Sequence, residues 1–364
     1  MKELIIGDLV AKVPIIQGGM AVGISVSGLA SAVANAGGIG VIATAGIGHL
    51  NMNPRTNYVT VNSEALTVEI RKAKEKSKGI IGVNIMVALS NYAEQIKVAI
   101  DEGIDIIFSG AGLPLNLPGY LPEGKKTKLV PIVSSGKAAA IIARRWIDKY
   151  NYIPDAIVVE GPRAGGHLGF KKEKLFDPKY GLENLLPEVL KQAKLLEDKY
   201  NKPIPVIPAG GIYTGADIYK FIKMGASGVQ MATRFVATYE CDASDEFKRS
   251  YIQAKKEDII IIDSPVGMPG RAIRNQFLSD VELGQKKPFK CPFHCIITCN
   301  VKDAPYCIAE ALLNAKEGRI NDGFAFSGAN VYRVEEIVHV KDLITSLMVE
   351  YKAAEELDKR KYIL

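Results

Sequence analysis

Short runs of apolar residues recur along the first two-thirds of the chain, and each run ends in small or polar residues. Within a run the apolar positions are continuous, which indicates strands buried on both faces, as in a parallel sheet. The runs are Val13–Ile16, Gly38–Ala43, Ile80–Ile85, Ile104–Phe108, Leu129–Val133, Ala156–Val159, Pro205–Ala209 and Gly228–Met231.

Stretches of helical composition lie between these runs. This alternation predicts an α/β fold of the (β/α)8 TIM-barrel type, with an open doubly wound sheet as the alternative. The barrel is favoured because eight strands fit a closed ring without a remainder. Ligand-type residues also follow most strands, whereas an open sheet gathers them at one switch point. The helical stretches are Glu64–Lys76, Tyr92–Glu102, Ala138–Lys149, Leu185–Tyr200 and Ala216–Met224.

The chain is longer than a barrel requires. A barrel takes about 250 residues, and the eighth apolar run ends at Met231 of a 364-residue chain. We expect a barrel over residues 1–238, a smaller C-terminal α/β domain over 239–340, and a helix within 341–364. That helix would pack on the barrel or on a partner subunit. In the second case the protein would be a homodimer.

Charge and hydropathy narrow the range of partners. The net charge of +6 is small for this length, and basic residues are mixed with acidic ones, so we expect no nucleic-acid partner. No apolar run approaches the roughly 20 residues of a membrane span, and the N-terminus lacks the apolar core of a signal peptide. We therefore expect a cytoplasmic protein that acts on a small-molecule substrate and does not bind a membrane.

The loop after the sixth apolar run is rich in glycine and carries one histidine. Glu160 is followed by Gly-Pro-Arg-Ala-Gly-Gly-His-Leu-Gly, in which the histidine is His167. Glycine lets backbone N–H groups approach a ligand closely, and histidine suits proton transfer near neutral pH. The loop is thus predicted to border an active site, and a flexible loop with a surface histidine is the alternative. His49, near the end of the second run, is interpreted as a capping or surface residue.

Two further glycine turns follow the seventh and eighth runs. Ala209-Gly210-Gly211-Ile212 precedes a helix that starts near Thr214, and Gly228-Val-Gln-Met-Ala-Thr-Arg-Phe235 covers the next strand and its loop. In barrels these two loops commonly bind phosphate through backbone N–H groups and a helix N-terminus. The turns predict a phosphate site, with tight packing of strand on helix as the alternative.

Four of the five cysteines fall within 17 residues, in a C-x3-C-x3-C-x7-C pattern. Disulfides are disfavoured in the cytosol, so this clustering favours a zinc or iron–sulfur site in which His294 could replace one cysteine. Free thiols or a transient disulfide are the alternative. The clustered residues are Cys291, Cys295, Cys299 and Cys307.

Taken in order, these motifs resemble those of the nitronate monooxygenase family, formerly called 2-nitropropane dioxygenase. That family shares its fold with the flavin-dependent type II enoyl-acyl-carrier-protein reductases. The resemblance is close over residues 13 to 238 and looser over Ser264–Asn275. It is specific for an FMN-binding superfamily and much less specific for substrate. The motifs that carry it are Gln17-Gly18-Gly19-Met20, Gly82-Val83-Asn84, Glu160 with Gly165-Gly166-His167, Ala209-Gly210-Gly211-Ile212 and Gly228–Phe235.

The resemblance implies an FMN held at the C-terminal ends of the strands. Its phosphate would lie against the paired glycine turns, where Ala232 stands in place of the family's usual glycine. His167 would be the catalytic residue on the N5 side of the flavin. The implied cofactor-binding residues are Gly19, Met20, Asn84, Glu160, Gly165, Gly166, Gly210, Gly211, Gln230, Ala232 and Thr233.

The implied activity is oxidation of alkyl nitronates or nitroalkanes with O2 through the flavin. His167 would remove the α-proton of a neutral nitroalkane or stabilise charge on the nitro group. Because a fold does not fix a function, an NAD(P)H-dependent reductase of enoyl thioesters is the alternative. An alternative from another class is a non-catalytic flavin- or metal-binding regulator.

Overall fold

The computed structural model of the protein describes residues 2–49, 57–286, 291 and 294–360. Within these residues, eight parallel strands follow one another in chain order around a barrel. The ring closes between the first and last members of the sheet order, where the Gln17 N–H donates to the Ile39 carbonyl at 3.0 Å. The barrel strands are β3 (Ile15–Gln17), β4 (Gly40–Ala43), β5 (Ile81–Met86), β6 (Ile106–Gly110), β7 (Lys128–Val133), β8 (Ile157–Glu160), β10 (Val206–Ala209) and β11 (Val229–Met231).

This topology confirms the predicted (β/α)8 fold, because each predicted apolar run overlaps one barrel strand. Helices cover the outside of the barrel. Side chains that accept hydrogen bonds from first-turn N–H groups mark the starts of several helices, as Asn57 and Ser135 do. The helices are α1 (Ser27–Asn35), α2 (Tyr58–Lys76), α3 (Tyr92–Asp101), α4 (Gly136–Tyr150), α5 (Leu182–Tyr200), α6 (Gly215–Lys223) and α7 (Thr233–Val236).

The core has two layers, as expected for strands that are apolar on both faces. One layer fills the inside of the barrel, where Phe108 and Ile207 are fully buried. The other lies between the strands and the surrounding helices. A short hairpin that the sequence analysis did not predict, β1 (Leu4–Ile6) with β2 (Leu9–Ala11), joins the inner layer. It lies at the N-terminal end of the barrel, so the opposite end is left for a site.

The chain after the barrel forms a small antiparallel sheet and several helices. β13 (Pro269–Ile273) pairs with β12 (Ile259–Asp263) on one side. On its other side it pairs with β9 (Gly166–His167), which belongs to a barrel loop. The C-terminal segment is thus hydrogen-bonded directly to the histidine loop. The remaining elements are α8 (Asp245–Gln253), α9 (Gln276–Glu282), α10 (Ile308–Lys316) and α11 (Val340–Arg360).

α11 lies against α6 of the barrel. Tyr219 donates to Asp358 at 2.7 Å, and the N–H of Gly215 donates to Glu350 at 2.6 Å. Residues 361–364 of the predicted C-terminal helix lie outside the described residues. The division of the chain at residues 238 and 340 stays a prediction. In the described ranges, no helix has both the length and the apolar character needed to cross a bilayer.

Candidate active site

A cavity of about 500 Å³ lies at the C-terminal ends of the barrel strands. This volume is in the range of small-molecule and cofactor sites. The cavity brings together every residue that the sequence analysis assigned to the cofactor or to catalysis. They are Gly19, Met20, Asn84, Glu160, Gly165, Gly166, His167, Gly210, Gly211, Gln230, Ala232 and Thr233.

The predicted phosphate end of the cavity is built from backbone. Gly210 and Gly211 have φ angles of 92° and 91°, a region that L side chains rarely adopt, so this turn depends on glycine. Next to it lies a chain segment that the sequence analysis missed, Ser327–Asn330. The Asn330 amide donates to the Gly211 carbonyl at 2.7 Å, and Arg163 donates to the Asn330 side chain at 3.0 Å. The glycine turn is therefore held from the side by the C-terminal segment.

The start of α6 differs from the expected helix N-terminus site. The N–H groups of Tyr213 and Thr214 donate to Asp217, and the N–H of Gly215 donates to Glu350. These amides already have carboxylate partners within the chain. The phosphate prediction therefore rests on the glycine turns and on the loop at Ala232 and Thr233, whereas the amides that begin α6 do not contribute.

The histidine loop passes very close to the C-terminal segment. A Cβ atom at Gly165 would lie 2.6 Å from the Ser327 backbone, so only glycine fits there. Buried Arg271, on β13, donates to the Pro162 carbonyl at 2.8 Å and also to the Ala164 carbonyl. Burial lowers the Arg271 pKa to about 10, so this side chain keeps its charge at neutral pH. Arg271 thus fixes the loop that carries His167.

His167 is partly buried and is neutral at neutral pH. Its Nε2 atom lies 2.8 Å from Ser264 Oγ, and its ring meets Phe326 edge-on at 5.0 Å between centroids. Burial lowers the His167 pKa to about 4, because the imidazolium loses hydration in this position. At neutral pH the imidazole can therefore accept a proton or donate one hydrogen bond, as the predicted role would require, and that role stays a prediction.

Glu160 ends β8 at the floor of the cavity. Removal from water raises its pKa to about 7, because burial disfavours the carboxylate. Near neutral pH a protonated Glu160 can donate a hydrogen bond, which suits a contact with a polar ring edge. On the other side of the cavity, a Cβ atom at Gly19 would lie 2.5 Å from the Asn84 Cβ. The lining there is tightly packed.

His49 corrects one expectation from the sequence. It is partly buried and lines the cavity, whereas we interpreted it as a capping or surface residue. Its ring meets Tyr58 edge-on at 5.8 Å, and burial lowers its pKa. The pattern around His49 is a small-residue loop after a strand, as in the His167 loop, so the same argument could have placed both histidines at the barrel mouth.

The clustered cysteines line a second, much smaller cavity together with His294. Two of the sulphurs accept backbone N–H groups, Cys291 from His294 at 3.4 Å and Cys307 from Glu310 at 3.5 Å. Burial and the neighbouring thiols raise the Cys295 pKa to about 12. Among the residues that the structure describes, no three histidine, cysteine or acidic side chains are arranged to hold a metal ion. The cysteines form no disulfide with one another, and the geometry gives the metal prediction no support.

A closed barrel with a glycine-lined cavity and a neutral histidine at its C-terminal mouth defines an enzyme of the TIM-barrel class. The chain belongs to the nitronate monooxygenase family, whose model matches residues 2–350. It is thus a flavin-dependent oxidoreductase.

Relatives of this chain differ in the activities that their names give. A Mycobacterium tuberculosis protein, (3aS,4S,5R,7aS)-5-hydroxy-7a-methyl-1-oxo-octahydro-1H-indene-4-carboxyl-CoA dehydrogenase, is 29% identical over 75% of this chain and 66% of its own length. A "Probable nitronate monooxygenase" of Staphylococcus saprophyticus is 27% identical over 75% of this chain and 78% of its own. The structure of FabK from Thermotoga maritima has a TM-score of 0.72 and 28% identity, covering 97% of this chain and 96% of that one.

Proposed function

We propose that this chain binds one FMN in the barrel-mouth cavity and oxidises alkyl nitronates with O2. The observation that carries the proposal is a cavity of about 500 Å³ that is lined both by the glycine turn Gly210–Gly211 and by neutral His167. When bound, FMN supplies electron exchange with the substrate and with O2, while the protein supplies position and electrostatics.

The lining residues fit FMN in their chemistry. Backbone N–H groups at Gly210–Gly211 and at Ala232–Thr233 would hold a phosphate. Ala232 in place of glycine is compatible with this role, because backbone contacts do not need its side chain. Asn84 and Glu160 would bond the polar edge of the ring or the ribityl hydroxyls, and Gly165 and Gly166 would leave room for the ring itself.

His167 would act on the substrate. Because the imidazole is neutral at neutral pH, it can take the α-proton of a nitroalkane, or it can donate its N–H to a nitronate oxygen. Help of this kind contributes roughly 10²–10⁴-fold to a rate. The apolar wall of the cavity, which includes Met86, Leu89 and Ile296, would exclude water from the reacting atoms.

A reductase is the second candidate, and two observations favour it. FabK, an enoyl-acyl-carrier-protein reductase, is similar to this chain over nearly its whole length. The Mycobacterium tuberculosis relative is named for a carboxyl-CoA compound. In this alternative NAD(P)H would be a co-substrate, and His167 would stabilise or protonate the enolate of an enoyl thioester.

Anaerobic stopped-flow absorbance with the purified, flavin-loaded protein separates the two candidates. We expect alkyl nitronate alone to bleach the flavin bands, and O2 to restore them. Bleaching by NADH or NADPH, without any response to nitronate, would contradict the monooxygenase and support the reductase. A protein that takes up no FMN on titration would contradict both.

A further inference from the structure

The antiparallel sheet beside the barrel brings a serine to the candidate catalytic histidine. In β13, Gly270 faces His167 of β9 on one side and Ile262 of β12 on the other. Ser264 comes immediately after β12 and begins the turn into β13, which closes through a hydrogen bond from its N–H to the Met268 carbonyl. Backbone hydrogen bonds of the sheet therefore hold Ser264 and His167 next to each other, so their contact does not depend on side-chain conformation alone.

The hydrogen bonds of Ser264 Oγ indicate the direction of the contact with His167. The Val266 N–H lies 3.5 Å from this oxygen and occupies one of its lone pairs. The oxygen lies 2.8 Å from His167 Nε2. Among the described residues, Nε2 is the only acceptor within reach of the Ser264 hydroxyl proton. A hydroxyl has one proton to donate, and this geometry favours a bond that runs from Ser264 to Nε2.

The rest of the pocket keeps the ring in this orientation. Phe326 meets the imidazole edge-on, and its own carbonyl accepts from Tyr251 at 2.5 Å. A Cβ atom at Gly270 would lie 2.7 Å from the Phe326 ring, so that ring is packed directly against β13. Since Ser264 is itself buried, at 7% exposure, water has little access to the contact.

We propose that Ser264 is a positioning residue that donates its hydroxyl proton to His167 Nε2 and so holds the imidazole as the Nδ1–H tautomer. The Nδ1–H would then be the group that the substrate meets, as a hydrogen-bond donor to a nitronate or enolate oxygen. The inference deepens the proposed function, on which the role of His167 rests. It favours charge stabilisation over proton abstraction, because the unprotonated nitrogen is already occupied.

Nitrogen-15 NMR of histidine tests the tautomer directly in the flavin-loaded protein. The chain has four histidines, so the signals of His167 are assigned by their loss in His167→Gln. We expect a protonated Nδ1 and an unprotonated Nε2 in the wild-type protein, and a mixture of tautomers in Ser264→Ala. A protonated Nε2 in the wild-type protein, or an unchanged spectrum in Ser264→Ala, would overturn the proposal.

Steady-state kinetics on whichever substrate the wild-type enzyme turns over give the second readout. We expect Ser264→Ala to lower kcat about 10-fold with a much smaller change in KM, because the substrate still fits but meets a misoriented ring. Ser264→Thr keeps the hydroxyl and should restore most of kcat. Ser31→Ala removes a buried serine hydroxyl on α1, outside the cavity, and serves as the control.

The two readouts also separate this inference from the proposed function. If the enzyme turns over only enoyl thioesters, the nitronate proposal fails, while the tautomer and the effect of Ser264→Ala can still hold. Flavin content, measured in every variant, identifies a folding defect. Should Ser264→Ala lose its flavin, the Thr variant and the wild-type spectrum still decide the matter.

Discussion

The barrel mouth differs from the segment that carries the four clustered cysteines, here called the cysteine loop. The two differ in how well closeness along the sequence predicts a binding site in space. The predicted flavin residues are spread from Gly19 to Thr233, yet they line one cavity. The cysteines lie within 17 residues of one another and line a small cavity, but they do not form a metal-binding arrangement in the described residues. Parallel strands in a ring must end at the same face, so barrel topology brings distant residues together. Closeness in sequence imposes no comparable geometry on the thiols.

The two regions also meet. Cys295 lines both cavities, and its segment is hydrogen-bonded to the loop after β5. The Ser90 N–H donates to the Cys295 carbonyl at 3.2 Å, and the Ile297 N–H donates to the Ala88 carbonyl at 2.9 Å. The cysteine loop therefore forms part of the wall of the active-site cavity, whatever its sulphurs bind.

Replacing His167 should have the largest effect and tests whether the barrel mouth is a catalytic site. His167→Ala should keep its FMN, because the glycine turn predicted to hold the phosphate belongs to a different loop, and should lose roughly 10²–10⁴-fold in kcat. Flavin content and kcat are the measurements. His339→Ala is the matched control, since His339 is exposed and pairs with Glu240 at 3.1 Å. A kcat near that of the wild type would contradict the assignment of His167.

A glycine substitution tests the predicted phosphate turn of the same cavity. Gly211→Ala should weaken FMN binding about 10-fold or more, because a Cβ atom there would lie 2.8 Å from Arg163 and the φ angle of 91° strains alanine. Gly124→Ala is the control, because its φ angle of 82° gives similar strain in open space. Both variants lose about 1–2 kcal/mol of stability. Equal FMN affinity in the two would show that the turn does not bind the phosphate.

The strands, their order and the shared cavity were predictable because continuous apolar runs and glycine turns are local features. Ser264 and Asn330 were not predictable, because they reach the site through pairing between β13 and a barrel loop, across about 100 or more residues of sequence. Glu350 at the start of α6 shows the same limit, because it lies 135 residues from Gly215. Asp217 is different, since it caps the helix from three residues after Thr214 and is a local feature. A sequence shows which amides begin a helix, but it does not show which distant carboxylate will occupy them.

Elemental analysis tests whether the cysteine loop binds a metal. If the cysteine loop is a metal centre, as its spacing predicts, protein purified without oxygen should carry nearly one zinc ion or one iron–sulfur cluster per chain. Binding should weaken at acid pH, because the thiolates that bind metal must lose their protons. Less than about a tenth of an equivalent of zinc or iron would contradict the prediction. The four residues would then be reduced thiols that only shape the cavity wall.

The smallest expected effect is on the pH dependence of stability. It arises because the barrel mouth buries His167 and Glu160, whose pKa values shift in opposite directions. His167 titrates at about 4 in the folded chain, below its ordinary 6.5. Between those values the unfolded chain binds the extra proton, so this histidine makes stability rise with pH. Glu160 titrates at about 7, above its ordinary 4.5. Between those values the folded chain binds the extra proton, so this carboxyl makes stability fall as pH rises.

The two slopes oppose each other between about pH 4.5 and 6.5 and should largely cancel in the flavin-free protein. The free energy of unfolding of Glu160→Gln, measured relative to the wild type, should increase as pH rises through this window. That of His167→Ala, measured in the same way, should decrease. Urea unfolding at several pH values gives the free energy of unfolding for each chain. Variant-minus-wild-type differences that do not change with pH would mean that neither group loses contact with water in the folded chain, and would contradict both pKa shifts.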